Sequence, residues 1–417
     1  MLCTPEISLD QCIKCNICTT VCPVSAVTDL FPGPKYEGPQ AGRFRIAEQT
    51  ATDQSVDYCS GCRACDISCP TGVKIAEINS RARANMVEQG KFKLKYRVRN
   101  NLLARPETLG KFGHHIAPVA NHILDSDAIR QITEKTLGIH HSAPLPKFSN
   151  HLFTNWYQNH QKPNNPKRKV VYFHGCSTQY YEPRIGRAAV HVLEANGCEV
   201  IVPPQNCCGL PLLSNGEYAA ARKYHEKNVR YLIEFARKGI PIIGTSTSCT
   251  LTIKEEAPEL LDMTDIDTQL VSRYTYDFNE YLLLLHREGQ LNLQLKPLPL
   301  SLAYHIPCQY RAHRLGKPGI EILHLIPNLE IYDGQAVCCG IAGTYGYKEE
   351  KYHIAMDVGQ PLFELINDDF PDSPCVICDS ETCRWQITHA TGKPTVHPVE
   401  LLAKAYGLPV EGILNDL

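Results

Sequence analysis

One unit occurs twice in the second half of the chain, each time around two adjacent cysteines. The apolar run in KVVYFHGC predicts a strand ending at Cys176. PRIGRAAVHVLEANG then predicts a helix and CEVIVP a strand, followed by Cys207, Cys208 and Gly209. A helix predicted from about Glu217 to Lys238 leads to the strand IPIIGT, and STSC delivers Cys249. The order then returns. LSLAYHIPC ends at Cys308, GIEILHLIP is helical, and LEIYD is a strand before Cys338, Cys339 and Gly340. A helix from about Glu349 to Asp368 precedes the strand PCVICD, and SETC delivers Cys383. The steps from single cysteine to pair are 31 and 30 residues, and those from pair to last cysteine are 41 and 44. Strands alternating with helices in this way predict a parallel sheet, here a duplicated βαβαβα unit joined through LKPLPL. Open parallel sheets bind ligands at the carboxyl ends of their strands, and the cysteines of both repeats fall there. Each half thus converges four thiols on one crevice, with a glycine that lets the backbone approach closely. The sets are Cys176, Cys207, Cys208 and Cys249, and Cys308, Cys338, Cys339 and Cys383. Such a gathering suits metal binding or dithiol redox chemistry.

Composition narrows the chemistry. The chain has 417 residues, enough for two or three domains. Its 42 basic and 44 acidic residues nearly balance, so no bulk attraction to nucleic acid is implied. MLCTPEISLDQ lacks the basic start and apolar run of a secretory signal, and no apolar stretch approaches the roughly 18 residues of a membrane span. A cytoplasmic, reducing setting is therefore expected, where 20 cysteines point to metal or redox chemistry and away from disulfides.

The first eighty residues carry a second pattern. CIKCNICTTVCP places Cys12, Cys15, Cys18 and Cys22 ahead of Pro23, and CSGCRACDISCP places Cys59, Cys62, Cys65 and Cys69 ahead of Pro70. Both read C-x2-C-x2-C-x3-C-P, the ferredoxin run, whose fourth cysteine ligates the other cluster of a two-cluster protein. The expected ligand sets are Cys12, Cys15, Cys18 and Cys69 for one [4Fe–4S] cluster, and Cys59, Cys62, Cys65 and Cys22 for the second. Zinc sites, commonly two separated cysteine pairs, fit four closely packed cysteines closed by proline less well. FPGPKYEGPQAGRFR reads as loop, a polar helical stretch runs on to Tyr58, and Ile75, Ile78, Ala82 and Met86 recur at helical spacing before Gly90. This part is similar to the α-helical ferredoxin module of respiratory iron–sulfur subunits.

From Lys91, basic and apolar residues alternate strictly as far as Arg99, a strand-like period. Beyond Arg105, Leu109, Phe112, Ile116, Val119 and Ile123 recur at three- and four-residue steps across Pro118, as in a kinked amphipathic helix. Its apolar stripe either packs on the protein's own body or docks on an anionic membrane surface. HHSAPLPKFSN and HQKPNNPKRK then read as linker. The expected division is a two-cluster domain at 1–90, a basic and amphipathic docking segment at 91–141, a linker at 142–168, and Cys-Cys-Gly modules at 169–290 and 300–417. Cys375 and Cys378 lie three apart in one strand and so point to opposite faces. They read as core thiols, and Cys3 and Cys198 as non-ligands. His174 and His305, just ahead of the first cysteine of each half, read as core residues or as supports of a ligand shell.

The two runs together with FPGPKYEGP, FHGC, CCGLPLLSNG, TSTSCT, YHIPC, CCGIAGTYGYKEE and SETCRWQI resemble the family of the C subunit of anaerobic glycerol-3-phosphate dehydrogenase, over nearly the whole chain. The tandem modules resemble, more distantly, the B subunit of heterodisulfide reductase and the iron–sulfur subunits of glycolate and lactate oxidases. The resemblance implies an α/β protein with an N-terminal α-helical ferredoxin domain. It also implies an electron relay at the inner face of the cytoplasmic membrane, from flavoprotein subunits that oxidise sn-glycerol 3-phosphate towards menaquinone. The corresponding component of a 2-hydroxyacid oxidase, or thiol–disulfide catalysis, is the alternative. No G-x-G-x-x-G follows a predicted strand, so neither flavin nor NAD is expected on this chain. In that superfamily the modules can hold a non-cubane iron–sulfur cluster, and their pattern often ends in C-x2-C. Ser246 and Ser380 stand at the first of those positions here, so a four-thiolate cluster, another metal and a thiol redox site all stay open.

Overall fold

The computed structural model describes residues 5–46, 54–334 and 338–417, which leaves Cys3 outside the described residues. The second half of the chain forms two parallel four-stranded sheets. Strands β1 (Arg168–Phe173), β2 (Cys198–Ile201), β3 (Ile242–Gly244) and β4 (Thr275–Asp277) lie in the order β2-β1-β3-β4. Strands β5 (Leu300–His305), β6 (Leu329–Asp333), β7 (Val376–Cys378) and β8 (Thr395–Val396) lie in the order β6-β5-β7-β8. Val170–Phe173 and Leu302–His305 are buried along their length, as parallel strands covered on both faces must be. The predicted duplication is present, with one correction: each half has a fourth strand. Thr275–Asp277 and Thr395–Val396 are too short and too polar to show an apolar strand pattern.

The two halves share one core. The second helix of the first half (Pro183–Ala195) packs on the last helix of the second (Pro398–Ala405), and the last helix of the first half (Phe278–Arg287) packs on the second helix of the second (Pro318–Leu323). Ile185, Leu193, Phe278, Leu282, Ile322 and Leu402 belong to a single buried cluster with Tyr172 and Leu302. Two buried carboxyls meet nearby. Tyr310 donates to Asp277, while Asn279 Nδ2 and Tyr304 Oη donate to Asp379 at 2.7 and 2.6 Å. Burial and the neighbouring Asp379 push the Asp277 carboxyl up to about 8. A carboxyl raised in the folded state holds a proton that the unfolded chain, with a pKa of about 3.9, has lost. Its contribution to stability therefore falls as pH rises from about 4 towards 8. Thermal midpoints measured between pH 6 and 8 should fall with rising pH, and less steeply in Asp277→Asn, which keeps an N-cap acceptor.

The N-terminal part is helical and bolted to both halves. Arg63 and Lys74 pair with Glu259 at 3.0 and 2.9 Å, and Arg81 pairs with Asp262 at 2.8 Å. On the other side Lys351, 1% exposed, pairs with Asp57. Burial alone would raise the Asp57 carboxyl, but Lys351, Lys348 and Arg83 hold it well below the usual carboxylate range.

Between these parts the sequence reading needs two corrections. Leu94–Leu103 is a helix where alternation predicted a strand. Two of its three basic residues are spent on distant acids, Lys95 on Glu349 and buried Arg99 on Glu350 at 2.6 Å, as is Arg105 beyond it on Glu217, while Arg97 is exposed. The stretch read as linker also carries the helix Phe153–Asn159, whose Phe153 is fully buried in the shared core. The kink at Pro118 is a real break, since Pro106–Gly113 and Ala117–Asp125 are separate helices, with Pro118 in the first turn of the second. Apart from half-buried Leu109, the apolar stripe does not pack on the body. Phe112, Ile116, Val119 and Ile123 are 73, 57, 61 and 41% exposed, and Ile132 of the next helix (Asp127–Leu137) is 60% exposed. Among the described residues no helix is long and apolar enough to cross a membrane.

Candidate metal centres

The two N-terminal runs adopt the same turn. Lys14 and Asn16 in the first, like Gly61 and Arg63 in the second, take positive φ, and a short helix follows each (Ile17–Thr20, Ala64–Ser68). Left-handed residues at alternate positions turn successive backbone N–H groups towards a common concavity, which favours an anionic group. Cys12, Cys15, Cys18 and Cys69 line one small cavity. Cys22 lies instead beside Cys59, and Cys59, Cys62 and Cys22 surround Cys65. The fourth cysteine of each run thus stands with the other run's first three. Burial pushes the Cys62 thiol up to about 12, so holding it as thiolate requires a cation at the site. Four convergent thiols, backbone donors and that need for positive charge fit an iron–sulfur group.

In the Cys-Cys-Gly halves the thiols form rows. Cys176 Sγ stands 3.6 Å from Cys207 Sγ, with Cys208 beside Cys207 and Cys249 close to Cys208. The second row runs Cys308, Cys338, Cys339, Cys383. Each row occupies the strand ends of its sheet, as expected. The serines at the reduced C-x2-C positions cap helices: Ser246 Oγ accepts from the Cys249 N–H, and Ser380 opens the helix Glu381–Thr391. Glu107, buried on the helix Pro106–Gly113, accepts from the Cys207 N–H at 2.9 Å and so ties the middle segment to the first row.

One residue, His305, stands where sequence reasoning did not put it. Cys375 and Cys378 do face opposite ways, Cys375 into the shared core and Cys378 into the cluster that holds Cys339 and Cys383. Cys378 is a fully buried core thiol that donates to the Ser380 carbonyl at 3.7 Å, near Cys383 at the end of the second row. His305 meets Cys339 and Cys383, their ligand atoms all within 4.8 Å of one another. His174 turns away, its Nδ1 bonded to the Gly175 carbonyl at 2.7 Å. Aligning the two halves by strand ends would have shown that HGC and HIPC differ in length.

Both rows, with Cys59 and Cys62, border one cavity of about 390 Å³. Its far wall is apolar, built by Leu109, Leu124, Leu137 and Phe148 beneath the exposed stripe. Cys62 is close enough to Cys308 and Cys338 to feel their charge, so the N-terminal thiols abut the second row directly.

Comparison with known proteins agrees with this arrangement. Residues 8–73 match the family described as a 4Fe-4S dicluster domain, and residues 170–254 and 302–388 match the one described as a cysteine-rich domain. The N-terminal part is therefore an iron–sulfur-binding domain. The chain is 37% identical over 403 residues to the C subunit of the anaerobic glycerol-3-phosphate dehydrogenase of Escherichia coli strain K12, covering 96% of this chain and 99% of that one. It is 26% identical to the glycolate oxidase iron-sulfur subunit of the same organism, over 81% of this chain and 80% of that one. It is 23% identical to the D subunit of the dihydromethanophenazine:CoB–CoM heterodisulfide reductase of Methanosarcina acetivorans, over 97 and 95%.

Proposed function

The chain belongs to the family of the anaerobic glycerol-3-phosphate dehydrogenase C subunit, and from that premise we propose that it carries electrons from a flavoprotein oxidising sn-glycerol 3-phosphate to a membrane quinone. Its role is electron transfer, with substrate oxidation left to its partner. Two [4Fe–4S] clusters, held by Cys12, Cys15, Cys18 and Cys69 and by Cys59, Cys62, Cys65 and Cys22, would supply one-electron chemistry when bound. The observation that carries the reading is the shared cavity, which brings the second N-terminal thiol set and both Cys-Cys-Gly rows to one apolar chamber. Within it, burial of Cys62 against Cys338 and Cys308 shortens the path between domains. The sulfurs of each row string out instead of closing on a point, which suits a multinuclear iron–sulfur group in each module. Iron content should fall in Cys207→Ser and in Cys338→Ser; unchanged iron in both would remove clusters from the modules.

The complex should copurify with a flavoprotein and reduce dye with glycerol 3-phosphate. Reduction with glycolate or lactate instead would make the chain the relay of a 2-hydroxyacid oxidase. Turnover of a disulfide by the isolated chain, given reduced dye, would favour thiol–disulfide catalysis.

The exposed stripe supports docking at the inner face of the cytoplasmic membrane. Lys95, Arg99 and Arg105 are held in internal pairs, which leaves exposed Lys91, Lys93 and Arg97 to attract anionic lipid, with apolar insertion the larger contribution. Binding to phosphatidylglycerol-containing vesicles should survive high salt and drop at least tenfold when Phe112, Ile116 and Val119 are all changed to serine, since burying each contributes on the order of 1.5–3 kcal/mol. Full release by salt alone would rule apolar docking out.

A further inference from the structure

The two modules are not equivalent at the strand ends that face their thiols. In the first sheet the last rung pairs Phe173 with Gly244; in the second the same rung pairs His305 with Cys378. The rungs correspond, because β1 and β5 are both six residues long and β3 and β7 both three, in the same register. Thus the first module offers a hydrocarbon ring and no side chain where the second offers an imidazole and a thiol. His305 is 2% exposed and its Nε2 has no hydrogen-bond partner. A buried ring nitrogen without a partner is costly unless something accepts or binds it. Its ligand atom lies within 4.8 Å of the Cys339 and Cys383 sulfurs, themselves within 4.8 Å of each other. The first module has no such group: His174 is committed to the Gly175 carbonyl and lies against Phe153.

We propose that the second Cys-Cys-Gly module holds a metal centre of mixed nitrogen and sulfur ligation, with His305 and the thiolates of Cys339 and Cys383 among its ligands. The inference rests on the reading that the module thiols bind metal, and adds which donors the second module uses. Imidazole and thiolate together suit either zinc or one iron of an iron–sulfur cluster. With iron, a neutral imidazole in place of an anionic thiolate favours the reduced centre, making the second module the better electron acceptor of the two. With zinc, the site is structural and the first module alone continues the path.

The test uses the full-length chain, purified anaerobically, with [15N]histidine incorporated in one preparation. Metal content, pulsed EPR of the reduced protein and zinc-edge X-ray absorption are read in wild type, His305→Phe (the residue the first module carries at that rung) and Cys338→Ser. The expected result is a strong ligand-nitrogen coupling that changes isotope with the label, for iron, or a nitrogen neighbour at a zinc edge, for zinc; either is lost in His305→Phe while the N-terminal cluster signals persist. Absence of any ligand nitrogen in the wild-type protein overturns the proposal without depending on how a variant folds. If Cys338→Ser loses metal while His305→Phe keeps wild-type content and spectra, the nitrogen ligation fails and metal binding by the module stands. If neither variant changes metal or spectra, both readings fail.

Discussion

Cys62→Ser should strip about four of the roughly eight irons that two cubanes would bring to the N-terminal domain and reduce electron delivery to the quinone to background, while the partner flavoprotein still reduces dye on its own. Cys15→Ser should remove about as much iron. What separates Cys62 is position. Cys15 is exposed at the far end of the domain, whereas Cys62 lies in the shared cavity beside Cys308 and Cys338. EPR with iron analysis checks the loss of one cluster signal. A variant that kept both signals and full quinone reduction would refute the crossed ligand set and the path through Cys62 together.

The second large effect contrasts two glycines that look alike. Gly209 and Gly340 each follow a cysteine pair, with φ of +94° and +85°. A methyl at Gly209 would find its nearest neighbour at 3.7 Å, whereas one at Gly340 would fall 1.8 Å from the Ala355 carbonyl oxygen in the helix Tyr352–Glu364. Gly209→Ala thus meets only left-handed strain, about 1–2 kcal/mol. Gly340→Ala must also displace a helix, and should cost more than about 4 kcal/mol, enough to leave little soluble protein. Urea unfolding of Gly209→Ala and the soluble yield of Gly340→Ala measure the difference; equal, mild effects would mean that the second loop is not pinned to that helix.

Much of this molecule was legible because cysteine chemistry writes itself in spacing. The two C-x2-C-x2-C-x3-C-P runs carry their turn, and the matching intervals between Cys176, Cys207 and Cys249 and between Cys308, Cys338 and Cys383 carry the duplication. What escaped depends on partners far along the chain. Lys91–Arg99 alternates like a strand, yet it is helical from Leu94, where Arg99 finds Glu350 some 250 residues away. The Thr275–Asp277 and Thr395–Val396 strands exist because a neighbouring strand is there to pair with. For Cys378 the local rule was right and incomplete: alternation gives opposite faces, and only the assembled sheet tells which face meets Cys383.

The packing of the two halves is reciprocal, second helix on last helix and last on second, as across the two-fold axis of a dimer of identical modules. In such a dimer each substitution appears twice, so the two thiol rows could not differ. Joining the copies through Leu295–Leu300 keeps the paired interface and lifts that restriction. Phe173 and Gly244 could then be kept on one side while His305 and Cys378 arose on the other. A covalent link between halves already held by their shared core thus adds, above all, the freedom for one scaffold to carry two unlike centres.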